Sequence, residues 1–211
     1  PEISLINEGL GLLGDSYDDL AGRADQVIAR AVDFVRRHDV QGLILTGGFV
    51  SLFNPGLEEQ VTDAIQLPVA SAISAVKAAL QTFSIETLLL VTPFEPRMNA
   101  VLEKHLSNLG ITVFPGPRFG FRKPGEGAEM VAEELFDKVE HAFRQNPKAE
   151  GIYFQGATLD PLPIIQRLED KLAIPVIASN PAMLWNILSK LGLKFLIKRY
   201  GKLLSSWPAL A

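Results

Sequence analysis

Cysteine is absent from all 211 residues of this sequence. A disulfide framework, a zinc–thiolate centre and a thiolate nucleophile are therefore excluded as parts of this chain. The sequence also lacks a signal peptide and an apolar run of about 18 residues. We therefore expect a cytoplasmic location and no contact with a membrane.

Concentrated charge of one sign is missing as well. The 24 acidic and 20 basic side chains are mixed along the chain and leave a net charge of −4. A nucleic-acid partner is not expected, because phosphate binding needs a concentrated basic surface. The motifs HExxH, GxGxxG and GxxxxGK(S/T) are absent too. The sequence therefore gives no support for a zinc protease, a dinucleotide-binding protein or a P-loop nucleotide-binding protein. We expect no metal and no cofactor, and we interpret His38, His105 and His141 as surface residues.

Short apolar runs alternate with segments of helical periodicity. The runs that predict strands are residues 3–6, 42–45, 67–70, 87–91, 111–114, 151–154 and 174–178. The segments that predict helices are 16–38, 56–66, 72–83, 96–109, 128–143, 161–172 and 181–191. Residues 115–127, rich in Gly, Pro and Arg, are predicted to form the longest loop. The alternation predicts an α/β fold of parallel βαβ units.

Two segments of the chain resemble each other. LILTGGF at 43–49 and IYFQGAT at 152–158 both read as a strand, small residues and a helix start. A Leu/Ile-Pro-Val strand follows each at a similar interval. Coincidence is one explanation, since apolar-then-glycine is common in α/β chains, but we favour a duplication. It predicts two pseudo-symmetric Rossmann-like halves with parallel sheets and a ligand cleft between them, residues 1–85 plus 181–211 and residues 86–180.

Four loops at the carboxyl ends of predicted strands are the candidates for a site. They cover residues 46–51, 92–94, 155–158 and 179–181. Ligands of parallel α/β sheets bind at these ends, where unencumbered backbone N–H groups bind anions. Thr46, Ser51, Thr158 and Asn180 add side-chain donors. Each loop has a plainer interpretation, such as helix capping by Thr158 or by the Ser-Asn-Pro segment at 179–181. Together they predict a site for a small carboxylate.

Four blocks, taken in order, carry a resemblance to a known family. They are TGGFVSLFNPG at 46–56, VTPFEPRMN at 91–99, the long block at 151–185 and RYGKLL at 199–204. The chain resembles the arylmalonate decarboxylase and maleate isomerase branch of the aspartate/glutamate racemase superfamily. The resemblance implies a cofactor-free enzyme that makes a carbanion or enediolate beside a carboxylate and stabilises it with pre-aimed donors. The substrate-binding positions we predict are Thr46, Gly47, Gly48, Phe49, Phe94, Gln155, Ala157, Thr158 and Asn180.

The sequence departs from the family pattern at the reactive positions. The two family cysteines correspond to Gly47 and Gly156, and a family tyrosine corresponds to Phe94. A Ser or Thr of the anion pocket is replaced at Gly48 and Phe49. The resemblance also implies a βα unit ahead of the first strand, with a Pro-containing loop that reaches the site, and this unit does not occur in the sequence.

These departures narrow the expected reaction. Racemisation and cis–trans isomerisation need a thiolate and are not expected. Decarboxylation of a small aryl- or alkylmalonate remains possible with protonation by water or Ser51, so we place Gly156 and Ser51 at the catalytic position. The rival interpretation is a catalytically silent carboxylate-binding or assembly protein, either diverged or engineered. We expect a monomer or homodimer, and we expect Gly156→Cys to restore carboxy-lyase activity if the pocket is intact.

Overall fold

The computed structural model describes residues 2–12, 14, 17–121, 130–156 and 159–210. A 3₁₀ turn at Tyr17–Leu20 precedes the regular elements. These are α1 (Ala24–Arg37), β1 (Leu43–Leu45), α2 (Gly48–Phe53), α3 (Leu57–Ile65), β2 (Val69–Ser71), α4 (Ala72–Thr82), β3 (Thr87–Phe94), α5 (Pro96–Asn108), β4 (Thr112–Phe121), α6 (Ala132–Gln145), β5 (Gly151–Phe154), α7 (Ile165–Leu172), β6 (Val176–Ala178), α8 (Ser179–Lys190) and α9 (Lys202–Ser206).

The strands form two parallel sheets, which confirms the predicted α/β class. One sheet pairs β1 with β2, and the other has the order β4-β3-β5-β6. Leu43 lies opposite Val69 in the first sheet, and Ile152 lies opposite Val176 in the second. These pairs are the strands of the two similar sequence segments and of the Leu/Ile-Pro-Val runs that follow them. The repeated sequence pattern thus corresponds to one parallel strand pair built twice.

The larger sheet is buried on both faces, as the continuous apolar runs predicted. Leu88 and Leu90 on one face and Leu89 and Val91 on the other are fully inaccessible. Helices α4 and α8 cover the first face, where the indole of Trp185 is completely buried. Side chains of α6 and α7 cover the other face. This packing holds the carboxyl ends of β3 and β5 rigidly side by side.

The C-terminal part of the chain contacts both predicted halves. Lys190 at the end of α8 donates to the carbonyl of Val69 at 2.5 Å and pairs with Glu58 at 2.9 Å. Glu169 of α7 accepts hydrogen bonds from the backbone N–H groups of Val176 at 2.9 Å and Lys202 at 2.6 Å. The boundaries drawn at residues 85/86 and 180/181 stay a prediction.

The structure corrects two predicted elements. Residues 3–6 are not a strand, and their side chains are exposed, with Leu5 at 75%. Three apolar residues in a four-residue run do not specify a strand when nothing packs against them. The predicted loop at 115–127 is wrong in its first part, because β4 continues through Pro115 and Pro117 to Phe121. An edge strand tolerates proline, since one row of its N–H groups has no partner strand. Residues 122–129 lie outside the described residues.

The short helix α9 was not predicted, and α2 was predicted only as a helix start after β1, because neither is long enough to show a periodic pattern. Within the described part of the chain, no helix combines the length and apolarity that crossing a membrane requires. The same residues contain no group of His, Asp and Glu suited to hold a metal ion.

Candidate functional site

Three strand-end segments meet at one place in the fold. The rings of Phe49 and Phe94 lie 4.8 Å apart, edge to face. A Cβ at position 48 would lie 2.4 Å from Nε2 of Gln155, and a Cβ at position 156 would lie 2.8 Å from Cγ of Pro93. The segments after β1 and β5 and at the end of β3 therefore form one cluster, as predicted for the carboxyl ends of parallel strands.

Two glycines of this cluster have left-handed backbone conformations. The φ angle is +85° at Gly47 and +106° at Gly156. Residues with a Cβ rarely adopt these angles, whereas glycine adopts them at little cost. The two positions are equivalent in the sequence repeat, so the same sharp turn follows the strand in both copies. Neither turn carries a side chain at this position.

Aromatic side chains form one wall of the cluster. Tyr17, from the 3₁₀ turn, packs against Phe49 at 5.2 Å and edge-on against Phe94 at 5.7 Å. Phe53 stacks on the far side of Phe49 at 5.9 Å. The predicted binding residues Phe49 and Phe94 thus contribute apolar rings, and only their backbone groups remain available to an anion.

Tyr17 is a member of the cluster that the sequence did not identify. The sequence predicts that position 17 lies at the start of a helix. No pattern in the sequence links Tyr17 to the loops after β1 and β3. Burial raises the pKa of the Tyr17 phenol, which therefore stays protonated at neutral pH. The loss of the family hydroxyl at Phe94 is accompanied by a phenol that packs on that same ring.

Asn99 fixes the turn that carries Phe94. Its side chain is completely buried, and Nδ2 donates to the carbonyl oxygen of Phe94 at 2.8 Å. The hydroxyl of Thr92 donates to Oδ1 of Asn99. The side-chain amide of Asn99 therefore links the end of β3 to the start of α5. Asn99 lies in the VTPFEPRMN block, but its role there was not predicted.

Replacing Asn99 by Leu is expected to lower the free energy of unfolding by about 1–3 kcal/mol, because a buried carbonyl and a buried hydroxyl lose their partner. Phe94 should also become less ordered. Urea unfolding of the two proteins measures the first effect. Asn108→Leu, at an exposed position of the same helix, is the matched control and should change stability by less than about 0.5 kcal/mol. Equal effects at both positions would contradict the assignment.

The side chain of Gln155 extends from the end of β5 in the larger sheet to Gly48, which follows β1 of the smaller sheet. Only 2% of its surface is exposed. Its Oε1 accepts a hydrogen bond from Oγ of Ser179 at 3.0 Å, and Ser179 in turn lies 3.4 Å from the hydroxyl of Tyr153. Its Nε2 lies against Gly48, where a Cβ would come within 2.4 Å of it. The carboxamide therefore occupies the space between the two strand-end turns.

A cavity adjoins Gly156 at the carboxyl ends of β5 and β6. Its volume is about 210 Å³, and its lining includes Gly156, Leu159, Asp160, Pro161, Ser179 and Asn180. A cavity of about 150 Å³ is large enough for a benzene ring, so this space has room for a small aryl or alkyl group. Asp160 makes this side of the site unsuitable for an anion.

The remaining predicted site residues have mixed positions. Thr46 and Asn180 are exposed, Thr46 just ahead of Gly47 and Asn180 on the cavity wall. The hydroxyl of Ser51 is buried within α2 and finds no hydrogen-bond partner among the described residues. Ala157 and Thr158 lie outside the described residues. The predicted cap at 179–181 is displaced, because α8 begins at Ser179 with Ala178 as its N-cap and makes no side-chain cap.

His105 lies outside the cluster, and it is half-buried, whereas we predicted a surface position. Its Nε2 is buried between α4 and α5 and has no partner among the described residues. Burial and the nearby charge of Lys77 lower the pKa of the imidazole below its ordinary value. The ring is therefore neutral in the folded protein at neutral pH.

This lowered pKa predicts a pH dependence of stability. Between the ordinary value of about 6.5 and the lower folded value, the unfolded chain binds more protons than the folded one. Stability should therefore be complete above that window and fall as the pH drops through it. The urea midpoint should fall less between pH 7.5 and 5.5 in His105→Leu than in the wild type. His141→Leu, at an exposed position, should retain the wild-type loss. An identical fall in all three proteins would refute the prediction.

Comparisons with known proteins identify the family to which the chain is similar. The sequence profile of the family described as arylmalonate decarboxylase matches residues 1–204. The arylmalonate decarboxylase of Bordetella bronchiseptica is 27% identical over 194 residues, which cover 88% of this chain and 79% of that protein. The maleate isomerase of Geobacillus stearothermophilus is 26% identical over 140 residues, which cover 65% of this chain and 55% of that protein.

Solved structures share the fold. A double mutant of arylmalonate decarboxylase in its liganded form superposes with a TM-score of 0.83 at 23% identity, covering 92% of this chain and 85% of its own. A mutant maleate isomerase from Pseudomonas putida with maleate superposes with a TM-score of 0.82 at 15% identity, covering 90% and 79%. The resemblance stated from the four sequence blocks is confirmed, and the chain belongs to the arylmalonate decarboxylase family.

Proposed function

We propose that this protein is a cofactor-independent, decarboxylase-like enzyme that acts on a small aryl- or alkylmalonate. The observation that carries the proposal is the meeting of Gly48, Gln155 and Gly156 beside an aromatic wall, in a chain of this family. Backbone and amide N–H groups provide donors for one carboxylate. The rings provide an apolar surface for the other substituents, and the adjoining cavity provides room for them.

The proposed reaction breaks the bond between the α-carbon and one carboxylate. Carbon dioxide leaves, and the bonding electron pair stays on the α-carbon and spreads onto the remaining carboxylate as an enediolate. Each pre-aimed donor to such an oxyanion typically contributes about 10²–10³-fold in rate. A proton from water or from Ser51 then completes the product monocarboxylate.

The apolar wall has its own role in this scheme. The carboxylate that leaves as carbon dioxide is charged before the bond breaks and neutral afterwards. Phe49, Phe94 and Tyr17 surround it with rings instead of water, and this favours the neutral product over the charged reactant. In this scheme the N–H donors bind the carboxylate that remains, and the aromatic rings surround the carboxylate that leaves.

A second candidate is a protein that binds the carboxylate without turnover. Gly156, at the position of the family acid, has no side chain and no room for one, since a Cβ would lie 2.8 Å from Pro93 and 3.0 Å from Phe94. The two candidates share the same anion site and differ in whether the bound malonate loses carbon dioxide and is then protonated.

Proton NMR of phenylmalonate and ethylmalonate incubated with the protein in D₂O separates them. The enzyme should form α-deuterated phenylacetate or butyrate above a buffer blank. Gln41→Glu, an exposed glutamine outside the cluster, is the control variant and should behave as wild type. Thermal stabilisation by both malonates without product would favour the silent protein. Neither product nor stabilisation would contradict both candidates.

A further inference from the structure

The buried carboxamide of Gln155 has one half of its hydrogen-bonding capacity unused. Oε1 is held by Ser179 at 3.0 Å. Nε2 carries two N–H groups, and none of the hydrogen bonds among the described residues involves it. Nε2 is not among the fully buried polar atoms that lack a partner, so it keeps a small access to solvent through which a ligand oxygen can accept from it.

The neighbouring hydroxyls orient this amide. Tyr153 is fully buried with its hydroxyl 3.4 Å from Ser179 Oγ. A phenol that donates to Ser179 leaves the serine proton for Oε1 of Gln155, which is closer than the alternative acceptor, the carbonyl of Phe154 at 3.4 Å. Oε1 is then the end that accepts, and Nε2 is the end that faces the cleft.

Gly48 leaves space for the amide. A Cβ at this position would lie 2.4 Å from Nε2 of Gln155 and 3.2 Å from Ile73. Unlike Gly47 and Gly156, Gly48 does not have a positive φ angle. The backbone therefore does not require glycine at position 48, and the need arises from the side chain of Gln155 opposite.

We propose that Gln155 is the specificity-determining residue of the site: its Nε2 donates to one oxygen of the bound carboxylate, and Ser179 and Tyr153 position it. The inference rests on the proposed function, because it assigns the carboxylate of that same site. A neutral amide with two free N–H groups selects an acceptor such as a carboxylate or enediolate oxygen. It cannot protonate carbon, so it binds the charge and leaves the proton to another group.

Two substitutions of Gln155 test the donor. Gln155→Glu keeps the shape but presents only acceptor oxygens, and Gln155→Met keeps the approximate length without a donor. Isothermal titration with phenylmalonate should give a dissociation constant roughly 10- to 100-fold higher for Met, the range for a hydrogen bond to a charged group, and a still higher one for Glu. Gln41→Glu carries the same charge change at an exposed position and should bind as wild type.

Substitutions of Ser179 test the positioning. Ser179→Ala removes the hydroxyl that holds Oε1 and should weaken phenylmalonate binding several-fold, whereas Ser179→Thr keeps a hydroxyl and should restore it. A role in stability alone would change the melting temperature of Ser179→Ala without changing the dissociation constant. That result would overturn the positioning role.

A double-mutant cycle tests the contact with Gly48 without any ligand. Gly48→Ala should destabilise the wild type, because its methyl group meets Nε2, but should cost much less in a Gln155→Ala background. This cycle remains informative if a Gln155 variant binds poorly for another reason. Additive effects would contradict the packing of the amide against Gly48.

The outcomes separate the inference from the proposed function. If the wild type binds phenylmalonate and both Gln155 variants bind it equally well, the role of Gln155 is overturned while the proposed function stands. If the wild type binds no malonate or arylacetate, the proposed function fails, and the role of Gln155 fails with it. Tight binding by the wild type, graded loss in Met and Glu, and a non-additive cycle are the results expected.

Discussion

Replacing Gly156 by cysteine is expected to lower the free energy of unfolding by about 2–5 kcal/mol and not to create activity alone. Two costs add at this position. The backbone φ of +106° strains any residue with a Cβ. The Cβ would also lie 2.8 and 2.9 Å from the ring of Pro93 and 3.0 Å from Phe94. This crowding leads us to expect that Gly156→Cys alone does not restore activity, unlike the sequence-based prediction, and the activity assay decides between the two.

The control for this prediction is a glycine with the same strain but free space. Gly110 has a φ of +82°, and a Cβ there would meet nothing within 4 Å. Gly110→Cys should therefore show the backbone cost alone, about 1–2 kcal/mol. Chemical denaturation of the two variants separates backbone strain from crowding. Equal losses at both positions would mean that the turn after β5 relaxes around the new side chain.

Removing the Pro93 ring should relieve most of the crowding. In Gly156→Cys/Pro93→Ala, the thiol gains space beside Phe94, and part of the lost stability should return. If the donors around Gln155 are intact, this double variant should release phenylacetate from phenylmalonate faster than wild type. A double variant no more stable than Gly156→Cys would contradict the role assigned to Pro93.

Replacing Glu169 by Ala is the second change with a large expected effect, a loss of about 2–5 kcal/mol. Glu169 is 3% exposed and accepts from the N–H groups of Val176 and Lys202. Alanine would leave the buried N–H group of Val176 and the part-buried N–H group of Lys202 without this partner. It would also release α9 from β6, the strand that leads into Ser179, so phenylmalonate binding should weaken along with stability.

Glu169→Gln is expected to cost less than Glu169→Ala. Burial raises the pKa of the Glu169 carboxyl above its ordinary value, so the folded protein disfavours its charge. Glutamine removes that charge and keeps one acceptor oxygen for a backbone N–H. Asp170→Ala, at the exposed neighbouring position, is the control and should be nearly neutral. Thermal unfolding of the three variants gives the order, and an equal loss in Glu169→Ala and Asp170→Ala would refute it.

The order of strands and helices could be predicted because the spacing of apolar residues along the chain indicates which faces of each element are buried. Strands 87–91 and 151–154 are continuous apolar runs, and both are buried on two faces. The ends of elements were less predictable. β4 extends through two prolines because it lies at a sheet edge, and the sequence of β4 alone does not reveal which strand is the edge.

The candidate site was predictable at its glycines and loops but not in its side-chain contacts. Strand–glycine junctions identified the turns at Gly47 and Gly156, since the left-handed backbone there favours glycine. The approach of Tyr17 to Phe94 and of Gln155 to Gly48 depends on how elements distant in sequence pack together. The same holds for His105, which was predicted to lie on the surface and is half-buried against α4.

The central claim is that the turns after β1 and β5 bind a carboxylate between them. Titration of the isotopically labelled 23.0 kDa protein with phenylmalonate, followed by ¹H–¹⁵N NMR, tests it directly. We expect saturable chemical-shift changes of the backbone amides of Gly47, Gly48 and Gly156 and of the Gln155 side-chain amide. Saturable shifts confined to other residues, with these four resonances unmoved, would contradict it.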